Sequence, residues 1–208
     1  MVQLGLRFAP GAREVLGSNP SGPIHGTSRV MQVADWRETF ESVVFRTVRL
    51  LRLDRLLLLG APSRPFLHYF KGFENVEAVK QIFGEKAADM LGNLKVDFIP
   101  FGGYMGVNPF NGHLMVNPRY LNDGDRLDVY LDLVHELVHV RQFMEGADLF
   151  DARYSYVERP TEIEAYRYAV EEARRLGKSD RRICEYLQTE WMSDDDLRQL
   201  AEALHVKC

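Results

Sequence analysis

The stretch Leu133-Val134-His135-Glu136-Leu137-Val138-His139 (residues 133–139) decides the fold and the chemistry expected of this chain of 208 residues. It matches the pattern H-E-x-x-H. On a helix, residues four apart lie on one face, so His135 and His139 can bind the same metal ion. Glu136 lies about 100° further round the helix, where it can reach a water beside that ion but is poorly placed to be a ligand. The pattern therefore predicts a zinc site with Glu136 as the general base.

The neighbours of these residues favour a site over a chance arrangement of surface histidines. A surface helix would place polar residues around the pair, whereas the flanking positions here are apolar, which predicts a buried helix. Buried imidazoles and a buried carboxylate need partners, and a metal ion supplies one. The apolar positions are Leu133, Val134, Leu137, Val138 and Val140.

Composition places the chain among ordinary globular proteins. It is 46% hydrophobic and 27% charged, and its length suits one domain. The formal net charge of −4 gives no support for nucleic-acid binding. No apolar run is long enough to predict a membrane helix, and residues 1–17 lack the pattern of a secretory signal. The only cysteines, Cys184 and Cys208, suggest no disulfide framework, so we expect a reducing, cytoplasmic compartment.

The chain divides into a short arm and one domain. Residues 17–29 are rich in Gly, Ser and Pro, so residues 1–30 are expected to form a flexible N-terminal arm. Residues 31–208 are expected to form a single domain. Its first helix begins near Asp35, and the run Leu56–Leu59 could follow as a short buried strand. A second helix should begin after Asn75, as its cap, and end near Gly92.

The segment before the motif has the pattern of strands. Leu94–Ile99 reads as one strand, and Tyr104–Val107 and His113–Val116 flank the turn signal Asn111-Gly112, which predicts a β-hairpin. Its edge could hold an extended peptide, or the sheet could simply cover the helix. The fold class expected is α+β, mainly helical, with a small antiparallel sheet or hairpin preceding the H-E-x-x-H helix.

Helix signals define the rest of the domain. The polar run at residues 122–125 supplies a cap for a metal-binding helix from Arg126 to about Met144, which Glu145-Gly146 ends. Two amphipathic helices, Lys178–Leu187 and Asp194–Leu204, complete the chain, and Ser193 is a good cap for the second.

A catalytic zinc needs a third protein ligand. The extended metzincin pattern requires Gly and His where this chain has Gln142 and Glu145, so that class is excluded. Carboxylates downstream are the remaining candidates: Asp148, Asp151, Glu158, Glu162 and Glu164.

Helical phase separates the two best carboxylates. Glu162 shares a face with small residues that allow close approach of another helix: Ala165, Ala169 and Ala173. Glu164 points away, with the phase of a solvated position, and could complete a capping box with Thr161. Glu162 is therefore the predicted ligand, and Glu164 is the alternative.

His135-Glu136-x-x-His139, followed by Glu162-x-x-Ala165, resembles the gluzincins, over about residues 103–173. The resemblance implies a zincin-like fold and a zinc metallopeptidase, with Zn²⁺ bound by His135, His139 and Glu162 and with Glu136 as the base. Many gluzincins have Asp or Asn where this chain has Tyr166. The role of orienting His135 could instead pass to Asp128 or Asp132, which share its helical phase.

Several features remain open at this level. A donor for the developing oxyanion is also needed, and spacing does not separate the candidates Tyr154, Tyr156, Tyr166, His113 and Arg141. Gln142 lies on the metal face and could contact substrate. The expected partner is a peptide or protein substrate, without nucleic acid or membrane. The alternatives are a non-catalytic zinc-binding or regulatory protein and a hydrolase of another amide or ester.

Overall fold

The computed structural model describes residues 63–99 and 103–208. The expected N-terminal arm, the helix from Asp35 and the strand Leu56–Leu59 lie outside the described residues. Within them the chain is mainly helical with a small sheet. The strands are β1 (Arg64–Pro65), β2 (Lys95–Phe98), β3 (Met105–Val107) and β4 (Leu114–Val116). The helices are α1 (Phe66–Tyr69), α2 (Glu77–Phe83), α3 (Ala87–Asn93), α4 (Pro118–Asp123), α5 (Arg126–Met144), α6 (Pro160–Arg175), α7 (Asp180–Leu187) and α8 (Asp194–Ala203).

The sheet is mixed rather than purely antiparallel. Its order is β1-β2-β4-β3, in which β2 pairs with β4 in parallel and the other two pairs are antiparallel. The predicted hairpin is confirmed as β3 and β4, with Val107 opposite Leu114. The expected antiparallel arrangement is wrong for the pairing of β2 with the hairpin, because that pairing joins segments whose order in the sheet no local signal specifies.

The turn of the hairpin packs on α5, the helix that carries His135 and His139. The backbone N–H of Asn108 donates to the carbonyl oxygen of His113 at 2.9 Å. Gly112 has φ +70°, and a Cβ there would come within 2.5 Å of the Phe143 ring near the end of α5. Glycine is therefore required both by the turn and by the close approach. This contact fixes the hairpin against the end of α5.

The central helix is α5, as the capping signal predicts. The side chain of Asp125 accepts hydrogen bonds from the backbone N–H groups of Leu127 and Asp128, and the helix ends at Met144, before Gly146 at φ +79°. Fourteen of its 19 residues are buried. A helix buried on nearly all sides forms the centre of the core, so its polar residues must find partners inside the protein.

Helix α6 packs against α5 through the predicted small-residue face. Ala165, Ala169 and Ala173 have no exposed surface. A buried hydrogen bond reinforces the contact: the Tyr130 hydroxyl donates to Oε1 of Glu172 at 2.6 Å, and Arg175 of the same helix as Glu172 donates to both oxygens of that carboxylate. The two helices are thus held together by close packing and by a satisfied polar cluster.

The helix boundaries differ from expectation in the segment before the sheet. The predicted helix between Asn75 and Gly92 is two helices, α2 and α3, because Gly84 at φ +61° breaks the chain into a short 3-10 turn. Val76, rather than Asn75, precedes α2. The two C-terminal helices are confirmed, and Ser193 forms a capping box with Asp196. Among the described helices, none has the length and apolar composition that crossing a membrane requires.

A disulfide joins Cys184 on α7 to Cys208, with the Cα atoms 5.5 Å apart. The sequence analysis, which found no sign of a disulfide framework, did not anticipate this bond, because two cysteines 24 positions apart form no pattern that reveals pairing in sequence. Cysteine usage therefore gives no support to a reducing compartment.

Cys208→Ser should lower the free energy of unfolding by about 3 kcal/mol, as expected when a loop of this length is no longer closed in the unfolded chain. Metal content should not change, since α7 contributes no residue to the site described below. Urea denaturation with metal analysis measures both quantities, and a reducing agent should destabilise the parent protein to the same extent. An unfolding midpoint equal to that of the oxidised parent would contradict the prediction.

Candidate metal centre

The two histidines of the motif face each other one helical turn apart on α5. Nε2 of His135 lies 3.0 Å from Nε2 of His139, and the two ring centroids are 4.6 Å apart. Their exposed fractions are 3% and 6%. Two imidazoles are thus directed at one point inside the protein.

Glu162 reaches the same point from the first turn of α6. Its Oε2 lies 3.4 Å from Nε2 of His135 and 3.3 Å from Nε2 of His139. The carboxylate is buried. Helix α6 therefore supplies the third group, at the residue that helical phase favours over Glu164.

The three groups fit a metal ion. Ligand atoms at 2.0–2.2 Å from a tetrahedral zinc are about 3.3 Å apart, and the three spacings here are 3.0, 3.3 and 3.4 Å. Oε2 of Glu162 is buried and accepts no hydrogen bond, so a cation bound among the three groups would satisfy it. Within residues 63–99 and 103–208, this is the one group of three such side chains close enough to hold an ion.

Gln142 contacts the ring nitrogen of His139 that does not face the other two groups. Its Oε1 lies 2.7 Å from Nδ1 of His139, while its Nε2 donates to Oε2 of Glu164 at 2.7 Å and to the Thr161 carbonyl oxygen at 3.0 Å. Arg141 donates to the other oxygen of Glu164 at 2.7 Å. Because both amide protons of Gln142 are used, its oxygen faces the imidazole and fixes the proton on Nδ1. The Nε2 lone pair of His139 is then free to bind a metal.

This network corrects two expectations. Glu164 is 39% exposed, as its helical phase predicts, but it is also the anion that orients Gln142. Its capping box with Thr161 does not form, since α6 begins at Pro160, one residue earlier. Gln142 lies at the site as expected, but its amide binds His139 and Glu164, which leaves it no free donor for a substrate.

Gln142→Ala should weaken zinc binding about 10–100-fold, the loss typical of removing a hydrogen-bond partner from a ligating histidine. The physical reason is that the His139 ring loses its fixed tautomer and orientation. Competition with a chromogenic chelator measures the affinity. Gln199→Ala is the matched control, because Gln199 bonds only Glu158 at the surface. Equal affinities for the parent and Gln142→Ala would contradict the role assigned to Gln142.

An aromatic residue packs against His135. The Tyr166 ring lies edge-on, 4.4 Å from the His135 ring centroid, and its hydroxyl is 3.0 Å from that of Tyr156. Tyr166 is fully buried. At the position where gluzincins have Asp or Asn, this chain therefore restricts the imidazole by packing.

The two aspartates proposed to orient His135 have other partners. The carboxylate of Asp132 accepts hydrogen bonds from the hydroxyls of Tyr120 and Tyr186, at 2.7 and 3.1 Å. Asp128 accepts from Arg182 at 2.6 Å. These contacts join α5 to α4 and α7, so both aspartates have a structural role.

No protein-family model, curated protein or solved structure matches this chain. Function must be inferred from the residues of the site themselves. Their chemistry is that of two neutral nitrogen ligands and one anionic oxygen ligand, with a second carboxylate beside them.

That second carboxylate is Glu136. It is 9% exposed, and its negative charge helps to raise the pKa of the neighbouring His139. It directly follows His135 on α5, so its side chain lies about 100° round the helix from that histidine. A buried carboxylate this close to a metal position can accept a proton from a water molecule.

The charges of His139 and Glu162 shift each other's pKa. Burial opposes protonation of His139, but the Glu162 carboxylate overrides it and raises the pKa of His139 to about 9. Burial also opposes ionisation of Glu162, yet His139 and His135 outweigh it and hold the pKa of that carboxyl well below its usual range. Without a metal, the cluster at neutral pH therefore pairs an imidazolium with a carboxylate.

Zinc binding at neutral pH should release about one proton, because His139 must become neutral to act as a ligand. The apparent affinity should rise about tenfold for each pH unit and level off above the His139 pKa of about 9. Calorimetric titrations in two buffers with different ionisation enthalpies count the protons. Binding at neutral pH without proton release would contradict a raised His139 pKa.

The five candidate oxyanion donors differ in their partners, their exposure and their position relative to the site. His113 pairs with Asp97 at 2.8 Å, and Arg141 pairs with Glu164 at 2.7 Å. Tyr154 is 42% exposed. Of the five candidates, Tyr166 lies directly against a metal-site residue, with Tyr156 bonded to it.

A charged residue that sequence reasoning missed lies beside the cluster. Nη1 of Arg159 is 3.6 Å from Oε1 of Glu162, and its side chain is only 12% exposed. The guanidinium carbon lies 5.9 Å from the Tyr156 ring centroid. Its position three residues before Glu162, at the start of a helix, is a signal that could have identified it.

Proposed function

We propose that this protein is a zinc metallopeptidase with a zincin-like fold. The observation that carries the proposal is the convergence of His135, His139 and Glu162 on one buried point, with Glu136 beside it. The spacing of the three ligand atoms suits tetrahedral zinc. A site built only to bind a structural ion has no need of the additional buried carboxylate.

The residues of the chain have distinct parts in this proposal. His135, His139 and Glu162 would hold Zn²⁺, which when bound supplies a Lewis acid that acidifies a water molecule and polarises a carbonyl group. Glu136 takes the proton from the water at its carboxylate and delivers it to the leaving amine. Gln142 keeps His139 in the tautomer that binds metal.

The sheet supports a peptide as the substrate. Strand β3 packs against α5 and is one of the two terminal strands of the four in the described part of the chain. A terminal strand presents backbone N–H and carbonyl groups to which an extended peptide can bind. A peptide bound along β3 would run beside the helix that carries His135 and His139.

Hydrolysis by the zinc-loaded protein tests the proposal. We expect cleavage of a quenched fluorescent peptide library, loss of cleavage on chelation and recovery on adding Zn²⁺, with one zinc bound per chain. Amide and ester substrates that are not peptides serve as the comparison. Stoichiometric zinc without cleavage of any peptide or cell-extract protein would overturn the proposal and favour a non-catalytic zinc-binding protein. Cleavage restricted to the non-peptide substrates would favour the other alternative.

A further inference from the structure

The Arg159 guanidinium is nearly buried and poorly satisfied. Its Nε is fully buried and has no hydrogen-bond partner. Nη1 lies 3.6 Å from Oε1 of Glu162, which is beyond hydrogen-bond length. Among the residues that the structure describes, none accepts a hydrogen bond from this side chain.

Other arginines of the protein show what a satisfied guanidinium looks like here. Arg175 and Arg182 each donate to a carboxylate at 2.6 to 2.8 Å. Arg141 donates to Glu164 at 2.7 Å, although its Nε, like that of Arg159, is buried without a hydrogen-bond partner. A guanidinium carries five donors, and leaving buried donors unpaired costs free energy. Arg159 differs in that it donates no hydrogen bond to any described residue. This difference implies that its donors bind a group that is not part of the described chain.

Its location indicates the charge of that group. Only the Glu162 carboxylate separates the guanidinium from the metal position, since Oε1 faces Arg159 and Oε2 faces the histidines. With a divalent ion bound, Glu162 and Glu136 balance the ion, and Arg159 leaves the centre with excess positive charge. An anion is the favoured partner of such a site.

We propose that Arg159 binds a carboxylate of the substrate and makes the centre selective for peptides with a carboxylate near the scissile bond. The inference rests on the proposed peptidase function. The planar fork of an arginine matches a carboxylate with two parallel hydrogen bonds, and 12% of the Arg159 side-chain surface stays exposed. The carboxylate can be the C-terminus of the peptide or an Asp or Glu side chain.

Binding of matched peptides to the zinc-loaded Glu136→Gln variant tests the inference without turnover. One pair is N-acetyl-Ala-Phe-Ala as the free acid and as the C-terminal amide. The other pair is N-acetyl-Ala-Phe-Glu-amide and N-acetyl-Ala-Phe-Gln-amide. In one of the pairs, the carboxylate member should bind at least about tenfold more tightly by calorimetry. That pair identifies the source of the carboxylate.

Arg159→Gln in the same background should abolish the preference and leave the affinity for the neutral member unchanged. Arg153→Gln is the matched control, because Arg153 is exposed and pairs with Asp151. Arg159→Lys keeps the charge and the buried stem but lacks the fork, so it should also reduce the preference. It provides the comparison if Arg159→Gln does not fold.

Three results would overturn the inference. One is equal binding within both pairs, and the other is a preference that survives in Arg159→Gln and Arg159→Lys. Equal weakening of acidic and neutral members would likewise overturn it, since Arg159 would then act only on Glu162. Library hydrolysis by the parent protein decides the peptidase proposal separately. Hydrolysis without a carboxylate preference leaves that proposal standing, and a preference without hydrolysis leaves the anion site standing.

Discussion

Glu136→Gln is expected to abolish peptide hydrolysis while leaving zinc bound. The amide keeps the size of the side chain but cannot take up a proton, and positioned general bases contribute about 10²–10⁴-fold to rates. Zinc content should not fall, because Glu136 is not among the three groups that converge on the metal position. Initial rates on a cleaved peptide, with zinc analysis of the same sample, measure both effects.

Glu171→Gln is the matched control, since it makes the same change at an exposed position on α6. Its rate and zinc content should equal those of the parent. Loss of zinc in Glu136→Gln would mean that Glu136 is a ligand. Full activity in Glu136→Gln would exclude it as the base and would require another proton acceptor at the centre.

Glu162→Ala and Glu164→Ala should separate a ligand from its neighbour. Glu162→Ala removes the one carboxylate of the described residues that pairs with both Nε2 atoms, and zinc affinity should fall by more than about 100-fold, the upper range for an outer partner. Glu164→Ala should cost about tenfold or less, because it acts on His139 only through Gln142. Metal analysis after purification without added metal, followed by chelator competition, gives the ranking.

The two variants make the same chemical change two residues apart on α6, so each controls for the other. Helical content by circular dichroism should be equal in both. Equal zinc affinity in the two variants would contradict Glu162 as the ligand. A larger loss in Glu164→Ala would transfer the role to Glu164.

Much of the architecture was accessible from local sequence signals. Asp125 before an apolar run and Gly146 after it define α5, and Asn111-Gly112 defines the hairpin. Each of these signals acts within a few residues of the element that it controls. Helical phase also selected Glu162, because the face that it shares with Ala165 is the face that packs on α5. The metal cluster follows from two helices whose contacting faces are visible in the sequence.

What could not be predicted depends on contacts between distant segments. Gln142 binds Glu164 only because α5 and α6 meet in a particular register, and sequence spacing does not give that register. The parallel pairing of β2 with β4 and the disulfide of Cys184 with Cys208 are tertiary in the same sense. Arg159 was missed because an arginine before a helix has many ordinary roles, and its lack of hydrogen bonds is visible only in the structure.

The alanines between α5 and α6 influence the size of the ion that the proposed site could hold. Ala165, Ala169 and Ala173 have no polar atom, yet they set the separation of the two helix axes, because helices approach as closely as their contacting side chains allow. Glu162 is carried by one axis and the imidazoles by the other, so that separation determines the radius available to the ion. In the proposed metal site, methyl groups that never touch the ion would therefore limit its size.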